Sequence, residues 1–150
     1  MDAVNTYKVF DFLWSSGQLS EADIHRLPGL GINLVINLAL PSSVNALENE
    51  SSLVTSLGMA YVHIPVVWEQ PELEQFTQFS GVLEAFRGKK MWIHCAMNMR
   101  ASAFIYLFRK LVLGESDDDA SFPMRAIWQP DETWQKFIDN VSHTYTVGTP

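Results

Sequence analysis

An α/β fold, with a parallel-rich central sheet of about four to five strands flanked by helices on both faces, is what this 150-residue sequence predicts. Three observations lead there. Short apolar runs rich in β-branched residues, at 32–38, 59–67 and 91–94, alternate with segments of helical periodicity. The run at 32–38 has the character of a strand buried on both faces. The helix expected from 101 to about 113 is apolar on most sides, as suits one packed against a sheet.

Residues 7–14 carry enough apolar side chains for one or two short strands, and Ser15-Ser16-Gly17 reads as a turn. Ser20, with Asp23 three residues on, resembles a capping box that opens a short helix ending before Pro28-Gly29. After the strand at 32–38, Ser43 is placed to cap a helix. Val44, Leu47, Val54 and Leu57 would share one of its faces, and Gly58 would close it in the left-handed conformation. Pro71 suits the start of the next helix, along which Leu73, Phe76, Phe79, Val82, Leu83 and Phe86 recur at helical spacing until Gly88. Residues 91–94 form a strand that feeds the apolar helix. Residues 114–121, with Asp117, Asp118 and Asp119, read as a solvated loop. Pro130-Asp131 opens a last helix carrying Trp134, Phe137 and Ile138, and about the last eight residues are expected to fray. With no internal repeat, linker or low-complexity stretch, residues 1–150 are expected to form a single domain.

Composition narrows the function. With 47% apolar and 18% charged residues the chain is an ordinary globular sequence. Its net charge of −7, with ten scattered Lys and Arg, argues against a nucleic-acid partner while leaving room for a locally positive pocket. The single Cys rules out an intramolecular disulfide and a Cys-rich metal site, and a lone thiol fits a reducing compartment. The opening Met-Asp-Ala-Val-Asn-Thr lacks a signal-peptide pattern, and no apolar run has the length of a membrane span. A cytoplasmic protein without a membrane partner is therefore expected. His25, His63 and His143 show no ligand spacing, so neither a metal nor any other cofactor is expected.

The chemistry concentrates where the strand ending at His94 passes through Cys95, Ala96, Met97, Asn98, Met99 and Arg100 into a helix. Such a turn aims backbone N–H groups and the positive end of the helix dipole at one spot, which makes an anion site. A thiolate there is stabilised by the same groups and by the Arg100 guanidinium, giving a nucleophile beside a bound oxyanion. The planar fork of Arg can hold two oxygens of one phosphate. A cation at a helix start otherwise opposes the dipole, and a bound anion accounts for it. Asn98 tolerates a positive φ better than most residues. Met97 and Met99 either line the mouth of an apolar pocket or fill core space.

His94-Cys95, a short loop, Arg100 and Ser102 between strand and helix resemble the signature of the cysteine-dependent protein tyrosine and dual-specificity phosphatases. That family has five residues between Cys and Arg, whereas here there are four. The shorter loop is similar to that of rhodanese-type sulfurtransferases. The His before the Cys and the Ser seven residues after it are similar to the phosphatases. The order Trp14-Ser-Ser-Gly-Gln-Leu-Ser-Glu, Leu34-Val-Ile-Asn-Leu, Tyr61-Val-His-Ile-Pro-Val and then the His-Cys loop resembles a group of small bacterial phosphatase-like domains, from about Val9 to about Leu113. In those domains the short loop also occurs.

The resemblance implies a phosphatase-like fold and a hydrolase. Cys95 would be the nucleophile, and Ala96, Met97, Asn98, Met99 and Arg100 would bind phosphate. Ser102 would assist the thiolate as leaving group, and His94 would support the loop by bonding to backbone. It also implies a general acid upstream of the cysteine, yet no Asp lies between Asp23 and Cys95. Glu69 is the best-placed substitute and Glu72 the second, the alternative for Glu69 being a solvent-facing residue near a helix start. Asp131, in Trp128-Gln129-Pro130-Asp131, is a third candidate and chiefly a helix cap.

Three functions remain open on this reading. One is a phosphatase acting on a phosphorylated protein or a small phosphate ester through a phosphocysteine. Another is a sulfurtransferase carrying a persulfide on Cys95. The third is a catalytically weak phosphate-binding module. Sequence names neither the physiological substrate nor an oligomeric state.

Overall fold

The computed structural model of the chain describes residues 1–147. Its centre is a five-stranded sheet of β1 (Tyr7–Phe10), β2 (Leu13–Ser16), β3 (Leu34–Asn37), β4 (Ala60–His63) and β5 (Met91–His94), in the order β1-β2-β5-β3-β4. The hairpin partners β1 and β2 run antiparallel, while every other pair is parallel. The last strand is thus inserted at the centre, and its final residue His94 lies level with Ser16 on one side and Asn37 on the other.

Side-chain alternation along the central strands fills two cores. Leu34 and Ile36 of β3 with Met91 and Ile93 of β5 face one, and Val35 with Trp92 face the other. The first core is covered by α3 (Leu73–Ala85), α4 (Met99–Leu107) and α7 (Glu132–Val147) through Phe76, Phe79, Phe104, Trp134 and Phe137. The second is covered by α1 (Glu21–Arg26) and α2 (Glu50–Ser56) through Ile24 and Val54, with Leu19 and Leu27 beside them. The expected fold class, a parallel-rich sheet with helices on both faces, is therefore present.

Phe104 lies where the aromatic side chains converge, fully buried with ring centroids 5.4–6.2 Å from Phe76, Phe79, Trp134 and Phe137. Removing it leaves a cavity that those rigid rings cannot close. Phe104→Ala is accordingly expected to lower the free energy of unfolding by about 3–5 kcal/mol, read from urea denaturation curves. A loss below about 1 kcal/mol would place the core elsewhere.

Several expectations held. Ser20 Oγ accepts from Asp23 N at 3.0 Å, and the Asp23 carboxylate accepts from Ser20 N, completing the box at the start of α1. Gly58 takes φ +89° after α2, and Asp131 accepts from Trp134 N at 2.9 Å to open α7. Others need correction. Ser15 and Ser16 belong to β2, where pairing with β5 uses their backbone. Ser43 caps no helix: its hydroxyl bonds Asn45 Oδ1, Val44 is fully exposed, and α2 begins at Glu50. The aspartates at 117–119 form a one-turn helix, α5 (Asp117–Ala120), capped by Ser116. There Asp117 draws in Tyr106, Lys110 and Arg125. A further short helix, α6 (Met124–Ile127), follows. Helix α7 continues through Val147, so fraying does not begin at residue 143, and residues 148–150 lie outside those described.

Candidate active site

Cys95 follows directly on β5, beyond the carboxyl end of the central strand, where ligands sit in open α/β sheets. The next five residues turn the chain into α4, and the direction of their peptide planes decides what the turn can bind. In a trans peptide the C=O of one residue and the N–H of the next point opposite ways. The Cys95 carbonyl lies 3.2 Å from His94 Nδ1. The Ala96 carbonyl accepts from Gln18 N at 3.0 Å and from Asn45 Nδ2 at 3.1 Å. The Met97 carbonyl accepts from Asn5 Nδ2 at 3.0 Å.

Three successive carbonyls are thus tied back into the protein, so the N–H groups of Ala96, Met97 and Asn98 face the other way. Among the described residues no hydrogen bond from the N–H groups of Ala96, Met97, Met99 or Arg100 to a protein acceptor is found. Orphaned amides in a partly buried loop are costly without a partner, and an oxyanion supplies one.

One small residue and one at positive φ fix the turn. Gly17 is packed so closely that a Cβ there would lie 2.7 Å from the Ala96 carbonyl oxygen and 2.6 Å from Val4 Cγ2, so only glycine lets β2 end against the loop. Asn98 is buried with φ +65°, and its amide donates to Asn5 O at 2.8 Å and Ser15 Oγ at 3.0 Å. The positive φ expected from its residue type is observed. Its side chain anchors the loop from behind.

Arg100 is 8% exposed on the first turn of α4. Its Nη1 donates to Val66 O at 2.9 Å and its guanidinium lies 6.0 Å from the centre of the Trp68 ring, while Nε is buried without a partner. A buried cationic donor left unpaired is expensive, so this one also lacks an acceptor that an anion would provide. Trp68, Cys95, Ala96, Met97, Met99 and Arg100 line a pocket of about 190 Å³, so Cys95, although 1% exposed, borders open space beside the arginine. Met97 and Met99 are therefore at the mouth of an apolar pocket. Larger clefts, about 640 Å³ beside Trp128 and about 490 Å³ beside Tyr61, contain neither Cys95 nor Arg100. Chemistry rather than size selects the site.

The remaining expected residues are placed as follows. His94 bonds backbone as expected, through Nδ1, and its Nε2 lies 2.6 Å from Glu50 Oε2. Ser102 sits one turn into α4, where its hydroxyl donates to Met99 O at 3.0 Å and accepts from Trp128 Nε1 at 3.2 Å, so neither bond reaches Cys95. Glu69 is exposed and lines a separate groove with Thr133 and Lys136. The cause is local: the turn closed by Gln70 N to Val67 O, with Trp134 Nε1 holding Trp68 O, sends Trp68 into the pocket and its neighbour out. Glu72 is the N-cap residue of α3, where its backbone N–H donates to Gln75 Oε1 at 3.0 Å, and Asp131 caps α7. The structure brings none of the three proposed acids into the Cys95 pocket. Sequence reasoning missed Trp68, Gln18, Asn45, Asn5 and Glu50, whose partners lie far away in the chain and leave no local signal.

The chain is similar over most of its length to a candidate phosphatase of the DUF442 family from Shewanella putrefaciens CN-32. The two are 33% identical, 96% of this chain and 95% of that one are covered, and the TM-score is 0.85. The chain belongs to the DUF442 phosphatase-like family. More distant structures share the fold. PTPMT1, solved in complex with PI(5)P, is 12% identical over 95% of this chain and 97% of its own, with TM-score 0.81. A Cys-to-Ser variant of P. aeruginosa TpbA, solved in complex with pTyr, is 14% identical over 95% and 91%, with TM-score 0.70. No family model matches the chain, and no curated protein matches it in sequence. This DUF442 member thus shares its fold with those phosphatases and carries four residues between Cys95 and Arg100. Among the described residues, no helix is long and apolar enough to cross a membrane.

Proposed function

We propose that the protein is a cysteine-dependent phosphatase that hydrolyses phosphate monoesters, phosphotyrosine or similar, through a phosphocysteine. The observation that carries this reading is the set of three carbonyls drawn back from the loop, which leaves amides, a thiol and a buried guanidinium Nε around one small pocket. Cys95 Sγ attacks phosphorus, the ester P–O bond breaks, and Arg100 with the loop amides holds the equatorial oxygens of the transferring group. Water then cleaves the P–S bond and returns the thiolate. The rim formed by Trp68, Met97 and Met99 supports an aryl leaving group, as in the phosphotyrosine bound by TpbA, over a polyanionic headgroup, because Arg100 is the single cation lining the pocket. The protein is taken to act as one domain in the cytoplasm.

The test is turnover of an aryl phosphate by purified protein, beside thiosulfate with cyanide. Release of phosphate from the first and no thiocyanate from the second is expected. The reverse result would replace the phosphatase with a persulfide-carrying sulfurtransferase. If neither substrate turns over and tungstate still raises the melting temperature, a phosphate-binding module replaces both.

The lack of a carboxylate among the pocket residues has its own consequence. A positioned acid is worth about 10²–10⁴-fold, mostly for poor leaving groups. An alkyl phosphate is therefore expected to lag an aryl phosphate of low leaving-group pKa by at least that factor, and Glu69→Gln to change either rate by less than about twofold. A selective loss on the alkyl ester in Glu69→Gln would return Glu69 to the acid's role.

A further inference from the structure

Behind the loop lies a buried acid and base that the reaction as written leaves unused. Glu50 is 3% and His94 0% exposed, with Nε2 and Oε2 2.6 Å apart. A carboxylate at that depth needs donors on both oxygens. Its Oε1 accepts from Gln18 Nε2 at 2.6 Å, and the Tyr61 hydroxyl, which accepts from Asn37 Nδ2 at 3.0 Å, has its own proton free for the same carboxylate. Burial pushes the Glu50 carboxyl up, but His94, Gln18 and Tyr61 together hold it below the usual carboxylate range. Burial and the charge of Glu50 push the Tyr61 phenol well up, so it remains a donor.

The other ring nitrogen of His94 faces the Cys95 carbonyl oxygen, which can only accept. Both ring nitrogens therefore face acceptors, and a neutral imidazole has a single N–H to offer. We infer that Glu50 is a positioning residue that keeps His94 as a buried imidazolium, whose Nδ1–H ties back the Cys95 carbonyl and thereby presents the Ala96 amide to the bound oxyanion. Glu50 reaches the next carbonyl as well, since Gln18, which it holds, donates its backbone N–H to Ala96 O. One carboxylate thus steers two consecutive peptide planes of the loop. The titratable groups facing the pair are Tyr61, behind it, and Cys95, in front.

The inference rests on the phosphatase reading in its kinetic arm and is independent of it in its spectroscopic one. Long-range ¹⁵N–¹H spectra of the labelled full chain at neutral pH, with His94 assigned by its loss in His94→Asn, are expected to show both His94 nitrogens protonated. Glu50→Gln is expected to leave one of them bare. A wild-type His94 with one bare nitrogen overturns the inference, whether or not any variant folds. On an aryl phosphate, Glu50→Gln is expected to lower kcat by about 10- to 100-fold, with KM moving far less. A folded Glu50→Gln protein with kcat within about twofold of wild type also overturns it. Should the wild type turn over no phosphate ester, the phosphatase reading fails by itself. The spectra, with the tungstate-induced melting shift in place of kcat, still decide the role of Glu50.

Discussion

Cys95→Ser is expected to abolish hydrolysis of aryl phosphates, with kcat falling by about 10⁴-fold or more, the usual scale for removing a covalent nucleophile. A serine hydroxyl at this position has no base within reach among the groups described: His94 is committed to Glu50 and the Cys95 carbonyl, and the pocket carries no carboxylate. The substitution is close to isosteric, and the loop is held by its carbonyls rather than by sulfur, so the oxyanion cradle should survive. Tungstate is therefore expected to raise the melting temperature of the variant nearly as much as that of the wild type. Steady-state kinetics and thermal shifts on the same preparations check both halves. Residual turnover within about tenfold of wild type would remove Cys95 from the chemistry.

Arg100→Lys is expected to lower kcat/KM by about 10³-fold. Charge is conserved in this change, so a role as a mere counter-charge would leave activity largely intact. What is lost is shape. A planar fork donates to Val66 O from Nη1, lies against Trp68 and still has Nε free for a phosphate oxygen. An ammonium is a compact point charge and cannot do all three. Tungstate affinity should fall in parallel with kcat/KM, because the same donors hold the ground-state anion. A variant whose tungstate binding is unchanged would show that Arg100 serves the fold through Val66 and not the ligand.

The central strands were legible because they are mostly apolar, as at 34–36 and 91–93, and α1 because its capping box lies within four residues of sequence. The segment 41–49 misled because Ser43 has the residue type of a helix cap, yet its hydroxyl bonds Asn45 Oδ1, and Asn45 in turn donates to the Ala96 carbonyl 51 residues away. Asp117 misled for the same reason: an acidic run reads as solvated until Tyr106, Lys110 and Arg125 are seen to converge on it. Within the candidate site, Cys95 and Arg100 are local, and their setting between an apolar strand and an apolar helix, with the resemblance it carries, singled them out. The groups that turn the carbonyls away come from Asn5, Gln18, Asn45 and, through His94, Glu50, and no window of sequence contains them together. Glu69 went astray because the direction of one side chain in a tight turn is set by a distant indole.

The ties between Asn5 and the loop also bear on when the loop takes its shape. Asn5 is synthesised 92 residues before Met97 and 93 before Asn98, and it bonds both. Contacts of such long range close late, after shorter loops have paid their entropy. A nascent chain whose thiol has just emerged therefore lacks the closed loop around it, and that loop takes its shape only when the whole topology has closed.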